Sequence, residues 1–542
     1  MGTKTYVPLS CRSGLRRFRS VQLALILSCS VFLFLLMPLC RLGGRPSGHI
    51  SVAVPAPARA RGGVRHGPAH LYNNTLYRPE TQGAVHPQFD FGSPCSGFPN
   101  TDDILLVMKT GASEAYDKLP THLLTSLQCL PDFLLFSDLE QQMGKYHLHN
   151  VLDRVLDTVK SANKEFELYE TQLSCPVSQK DCTKGLQGAW DLDKYKFLNM
   201  LVRTWAMRPG RKWYVFAEAD SYVFWPNLVL WLRTRTDPDS DLYVGNVALA
   251  DDFPFAHGGS GYVISGQLVQ KVIESIPGLA AKYDAAAPTM CCGDVLMGKA
   301  LAEVNVTVKH AFPMFNGERT NTLAFGEGQW CEPILTLHHM DAEQVGQAWQ
   351  FEQTRTKNTP IQIKELYHQF FAPNLAPTRD AWDNLSEDVC YIAPDKQSQD
   401  EADVELKAVQ KRQAAKTPIE RDAHTSPAAC AAVCEAAGLD VPERDWAAQT
   451  TDEGRAKLLA KLYGLESKAA ADDAAAFHGK RSCFQWRHHR GVCCTAESFK
   501  LGRPRRREKS GGSPWTSGWF VRGINDWIKA KGDCAVRWHD PE

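Results

Sequence analysis

The stretch Trp213-Tyr-Val-Phe-Ala-Glu218-Ala-Asp220-Ser-Tyr-Val-Phe224 constrains the chain more than any other. It opens with four apolar or aromatic residues, the pattern of a strand buried on both faces. It then places two carboxylates at the strand's end, where burial penalises them unless positive charge is nearby. In an open α/β sheet, ligands collect outside the carboxyl ends of the strands. A divalent cation held by carboxylate oxygens and nucleotide phosphates would supply the missing charge. The plainer alternative is an acidic surface turn, since short acidic motifs are common.

The flanking sequence repeats the strand pattern. Ile104 to Met108 is a buried-strand run, Lys109-Thr-Gly111 makes a turn, and a helix is expected from Ser113 to Leu124. Phe133-Leu-Leu-Phe-Ser-Asp138 is a second strand ending in a carboxylate, followed by an amphipathic stretch over 139–163 and a helix ending near Met207. Alternating strands and helices predict an α/β fold with a mostly parallel sheet covered on both sides. Neither GxGxxG nor a P-loop precedes these helices, which disfavours a dinucleotide or ATP fold. Basic and acidic residues balance at 61 each, so net charge gives no reason to expect nucleic acid as a partner. The chain's 542 residues leave room for more than one domain.

Cysteine usage and the N-terminus together bear on the compartment. Of 17 cysteines, Cys11, Cys29 and Cys40 lie in or beside the N-terminal segment, leaving 14 from Cys95 onward. An even, dispersed set predicts disulfides and an oxidising compartment. Val21 to Cys40 is 20 residues without a charge, long enough to span a bilayer. Lys4, Arg12, Arg16, Arg17 and Arg19 precede it, so the positive-inside rule keeps residues 1–20 cytosolic and sends the rest into the lumen. A cleaved signal peptide is the alternative, although its apolar core is usually about 7–15 residues. Residues 41–94, rich in Gly, Pro, Ala and Arg, are expected to form a stem. Asn73, Asn305 and Asn384 head N-glycosylation sequons.

Six motifs occur in order: Lys109-Thr-Gly, Phe136-Ser-Asp138, Glu218-Ala-Asp-Ser-Tyr222, His257-Gly-Gly-Ser-Gly-Tyr262, Cys292-Gly-Asp-Val-Leu-Met-Gly298 and Leu337-His-His339. Together they resemble glycosyltransferase family 31, in its fungal branch similar to core-1 β1,3-galactosyltransferases and Fringe-type transferases. The resemblance covers roughly residues 100–345. It implies a GT-A fold, a UDP-sugar donor, Mn²⁺ or another divalent cation, and inversion at the sugar C1. Residue by residue, it makes Asp220 and His338 metal ligands. Glu218 departs from the family's more usual Asp, so whether it reaches the metal directly stays open. Imidazole beside carboxylate suits Mn²⁺. Thr110 and Asp138 match positions around the uridine, and Lys194 is a candidate for the diphosphate.

Asp294 precedes an apolar helical run over 295–304, so an Asp there could simply cap the helix. The resemblance makes it the catalytic base, with Asp251 and Asp252 as competitors. The glycines after His257 would let a loop close on a sugar or diphosphate, or simply bend between two strands. Trp330 could stack on an acceptor sugar or pack in the core.

Residues 95–390 are thus expected to form the catalytic domain, 391–428 a linker and 429–542 a small cysteine-rich domain. Cys430-Ala-Ala-Val-Cys434 sets two cysteines on one helical face, and Cys483, Cys493 and Cys494 follow. This region resembles a PAN/apple module, which implies a protein or glycan ligand. The expectation as a whole is a Golgi membrane enzyme, single-pass type II, transferring a hexose to a glycoprotein or glycan acceptor. The rival is a lectin-like or chaperone protein that keeps the fold without the chemistry.

Overall fold

The computed structural model of the chain describes residues 94–161, 163–355, 359–393, 416–437, 441–462, 483–506 and 515–541, with the backbone of 7–8 and 409–410. The separate unit Cys11–His86, which holds the expected membrane anchor (21–40), most of the stem and Asn73, lies outside the described residues. Among the described residues no helix is long and apolar enough to cross a membrane.

An eight-stranded sheet forms the centre, in the order Lys309–His310, Tyr243–Gly245, Tyr262–Ser265, Trp213–Glu218, Ile104–Lys109, Phe133–Ser137, Tyr146–Asn150, Gln141–Met143. The strands from Trp213–Glu218 to Tyr146–Asn150 run parallel, and Tyr262–Ser265 is antiparallel to both its neighbours. Strand alternation divides the core. Leu105 and Val107 face a cluster built with Lys196–Met207 and Gly293–Ala302, while Ile104, Leu106 and Met108 face Ala115–Leu124 and Trp225–Arg235. Both faces are covered, which is why these strands read as continuous apolar runs.

One expected element takes another form. The stretch 139–163 is not one amphipathic segment but an edge hairpin followed by the short helix Asp157–Lys160. Gly144, at φ +59°, makes its turn, and the alternation in Tyr146-His-Leu-His-Asn150 buries Leu148 against the sheet.

A second, mainly antiparallel sheet runs Thr378–Asp380, Thr516–Trp519, Gln485–His489, Val492–Ala496, Val389–Ile392, Val409–Gln410. The expected break at 390 therefore falls inside one of its strands, because Val389–Ile392 pairs with Val492–Ala496. Within the expected linker, Pro418–Asp422 is helical and its Ile419 is buried. The helix Pro427–Ala436 is tied to the sheet side by Cys430–Cys493 and Cys434–Cys483, while Cys390–Cys494 links two strands. The remaining bonds are Cys95–Cys129, Cys175–Cys182, Cys291–Cys292 and Cys331–Cys534, so all 14 cysteines from Cys95 onward are paired.

The two parts of the chain share a third core cluster. Tyr222, Trp330 and Tyr367 from the first part meet Phe484, Phe499, Trp519 and Trp527 from the second. Trp330 is fully buried there, its ring 5.1 Å from that of Trp527, so core packing is the role it takes. Asn384 is buried as well, and its side-chain amide donates to the carbonyls of Trp486 and Gly518. A glycan on that nitrogen is incompatible with this fold, whereas Asn305 is exposed.

Candidate active site

The ends of Ile104–Lys109, Phe133–Ser137 and Trp213–Glu218 open onto a cleft of about 380 Å³. Asp138, Lys194, Glu218, Asp220, Asp294 and His338 all line it. Thr110 does not. Its side chain is buried, and its carbonyl accepts a hydrogen bond from Lys196 Nζ at 3.1 Å. Asp251 and Asp252 are exposed at a hairpin tip away from the cleft lining.

Sheet register explains why Asp220 and His338 meet. Thr336–Leu337 pairs antiparallel with Tyr222–Val223, which carries the next residue, His338, back to the end of the acidic strand. His338 Nε2 lies 3.4 Å from Asp220 Oδ1, and Lys118 Nζ lies 3.2 Å from Oδ2. Burial works against the Asp220 carboxylate, yet His338 and Lys118 hold its carboxyl well below the usual range. Asp220, His338 and His339 place ligand atoms within 4.8 Å of one another. Asp220 Oδ1 and His338 Nδ1 are buried without a hydrogen-bond partner. A carboxylate and two imidazoles, with unpartnered atoms on Asp220 and His338, form a donor set that fits a divalent transition metal.

The loop His257-Gly-Gly-Ser-Gly261 forms one wall. Ser221 Oγ donates to the Gly259 carbonyl at 2.7 Å and Thr336 Oγ1 to that of Ser260 at 2.6 Å, fixing the loop against the acidic strand. A methyl group on Gly259 would sit 2.1 Å from His338 Cε1, so close approach, rather than an unusual φ, requires glycine there. Burial depresses the His257 imidazole to about 4, with His338 adding to the effect.

Asp294 lies in the first turn of Gly293–Ala302, but the N-cap is Cys292. The carboxylate accepts the N–H of Val295, a first-turn donor of the helix, at 3.0 Å and also the Gly258 N–H at 3.1 Å, joining the glycine loop to the helix. Burial, reinforced by the negative charge of Glu218, pushes its carboxyl up to about 6, although the Gly258 N–H pulls the other way. A buried carboxyl poised near neutrality in a cleft has the profile of a general acid or base.

Glu218 faces a cation that the sequence reading left out. Lys109 is its partner in the parallel register, and Lys109 Nζ lies 3.1 Å from Glu218 Oε1 and also bonds Asp193. Burial opposes the ammonium, but Asp193 and Glu218 outweigh it and keep the lysine charged. Lys109 sits over the Phe197 ring, which in turn packs where a Gly293 side chain would be. The signal was present: a lysine ending a buried apolar strand is as anomalous as a glutamate there. Lys194 is engaged by Glu165 at 2.7 Å, while Lys196, two residues on, bonds Asp138. Asp138 also accepts the Ala112 N–H at 2.8 Å and the Gln172 amide at 3.0 Å.

A family profile described as Fringe-like matches residues 101–373, half of the chain. The match contains every residue of the cleft lining and stops just before Thr378–Asp380, the first strand of the second sheet. No curated protein matches the chain.

Proposed function

The chain belongs to the Fringe-like family of glycosyltransferases, and on that premise we propose that it is an inverting, metal-dependent transferase. Its donor is a UDP-hexose, galactose first among candidates, joined in β1,3 linkage to a glycoprotein or glycan. The observation that carries this reading is the juxtaposition, in one cleft, of the Asp220–His338 pair with a separate carboxyl, Asp294, poised near 6.

In this reading Asp220 and His338, with His339 beside them, hold a divalent cation, Mn²⁺ by family resemblance. When bound, the ion neutralises charge developing on the leaving diphosphate. Asp294 takes the proton of the acceptor hydroxyl. The acceptor oxygen forms its bond to the sugar C1 while the bond from C1 to the phosphate oxygen breaks on the opposite face, and UDP departs. Lys109, fixed between Asp193 and Glu218, keeps positive charge at the strand ends where the phosphates gather. Asp138 and Lys196 shape the uridine side, and Lys194 borders the cleft through its bond to Glu165.

The proposed location is the Golgi lumen, with 21–40 as a type II anchor. Pairing of all 14 cysteines from Cys95 onward supports an oxidising compartment. The C-terminal sheet, with the helix Pro427–Ala436 stapled to it by two disulfides, supports the PAN/apple reading and, with it, a protein or glycan ligand. The test is UDP release by the purified chain over a panel of UDP-sugars and acceptors, with and without Mn²⁺. Release with one donor, abolished by chelation, is expected. Absence of release with every donor would favour the binding-protein alternative.

A further inference from the structure

The edge of the central sheet gathers a second set of metal-ligating side chains, none of which lines the cleft. His147 and His149 are two apart on the strand Tyr146–Asn150, so the pleat turns both imidazoles to one face. Leu148 between them points the other way and is buried. Glu140, at the end of the loop that begins with Asp138, meets both rings with one atom. Its Oε1 contacts His147 Nε2 and lies 3.8 Å from His149 Nδ1.

The surroundings orient these atoms. Glu140 Oε2 accepts the Asn150 N–H at 2.6 Å, leaving Oε1 for the histidines. Gln142 is the cross-strand partner of His147, and its Oε1 lies 3.3 Å from His147 Nδ1. A carboxamide oxygen there selects the tautomer with the proton on Nδ1 and a lone pair on Nε2, the usual outer-shell arrangement of a ligating histidine. That lone pair then faces a carboxylate oxygen, and two acceptors in contact need a positive charge between them. A single proton on His147 would serve one ring only. A dication serves both imidazoles and the carboxylate together.

We propose that Glu140, His147 and His149 bind a divalent transition ion of the Zn²⁺ class, with water completing the coordination. Two imidazoles and a carboxylate are an established zinc donor set, whereas Mg²⁺ and Ca²⁺ prefer all-oxygen sites. The ligand atoms lie within 4.8 Å of one another, so modest side-chain rotation brings them to bond lengths of about 2.0–2.2 Å. The site clips the sheet's edge hairpin to the loop carrying Asp138. That loop is also held by the bonds of Asp138 to Lys196, Ala112 and Gln172, by Glu140 Oε2 on the Asn150 N–H, and by Ser137 Oγ donating to Gln141 Oε1 at 2.9 Å. Zinc binding should therefore stabilise the folded chain by mass action. The proposal stands apart from the glycosyltransfer reading.

The experiment uses the full chain, stripped with chelator, then given Zn²⁺ alone and passed through gel filtration before metal counting. The parallel chain carries Asp220→Ala and His338→Ala to silence the cleft. Expected is a single retained zinc in that chain and a rise in its Tm on adding Zn²⁺, both lost when His147→Gln and His149→Gln are added. Zinc retention unchanged by the hairpin substitutions, or no retention with the hairpin intact, overturns the site. If a combined variant does not fold, Glu140→Gln in the otherwise wild-type chain carries the test. It should weaken one zinc site about 10-fold or more, and unchanged affinity at every site overturns the proposal.

Discussion

The central sheet buries Val107, Phe136 and Tyr214 completely between helices on both faces, whereas the C-terminal sheet is pinned to one helix through Cys430–Cys493 and Cys434–Cys483. Both regions contain buried ion pairs, but the pairs do different things. Beside the C-terminal sheet Asp383 is fully enclosed, with Arg487 on Oδ1 at 2.9 Å and Arg505 on Oδ2, and every bond serves the fold. In the central sheet Lys109, Glu218 and Asp193 form a comparable network that opens into the cleft. A large apolar core tolerates charges at its strand ends, where they are available to a ligand. A small core needs its charges and its covalent staples for itself.

The comparison breaks if the two regions prove separable. Ending the chain at 377 would expose Phe325, Trp330 and Tyr367, which now pack on Phe499 and Trp527. The expected outcome is complete loss of soluble, monodisperse protein by gel filtration. A folded, UDP-binding fragment would show that the shared core is dispensable.

Within the cleft, Asp294→Asn should lower transfer by about 10²-fold or more, the range for a lost general base, while UDP binding survives. Asp220→Ala should lose metal-dependent UDP binding as well. Calorimetric UDP titration beside transfer kinetics separates the two, and near-normal transfer by Asp294→Asn would move the base elsewhere. In the closed network, Asp383→Ala strands Arg487 and Arg505. It should cost roughly 3–5 kcal/mol in chemical denaturation and leave UDP affinity unchanged. A loss of UDP affinity without a loss of stability would reverse the assignments of the two networks.

The smallest effect is in pH dependence. Asp294 titrates near 6 in the folded chain, against about 3.9 unfolded. Folding thus favours its protonated form, and its contribution to stability, fully present below about 4, is lost as pH rises through about 6. Over the same interval kcat/KM should rise, since the base must be ionised. Asp284, also raised to about 6 by burial, shifts stability in the same direction. The informative quantity is therefore wild type minus Asp294→Asn, whose Tm should converge toward or exceed that of the wild type above pH 6. A difference that does not change with pH would mean Asp294 is ionised throughout.

Much of this is legible in the sequence. Buried strand runs that end in charge pointed to the sheet, and the acidic pair of the motif, the distal histidine and Asp294 do converge on one cleft. What was missed shares a cause. Lys109 was read as part of a turn because its partners, Asp193 and Glu218, are distant in sequence, and only the register of adjacent strands brings Lys109 beside Glu218. Lys194 stands out in the sequence and Lys196 does not, because chain position alone does not reveal which residue at a helix start faces Asp138. Trp330 and Trp527 carry no mark in the sequence that they meet, and neither does Asn384 that its amide is already engaged.

The packing of Trp330 on Trp527 also sets an order in time. Cys331 and its partner Cys534 are 203 residues apart. At about 5–20 residues per second, synthesis of that interval takes roughly 10–40 s. Until residue 527 is made, the nascent catalytic half presents Trp330 without the Trp527 ring it packs on. The glycosyltransferase half therefore cannot finish folding as it emerges. Its folding waits for the last tenth of the chain, and truncation before Trp527 leaves Trp330 uncovered.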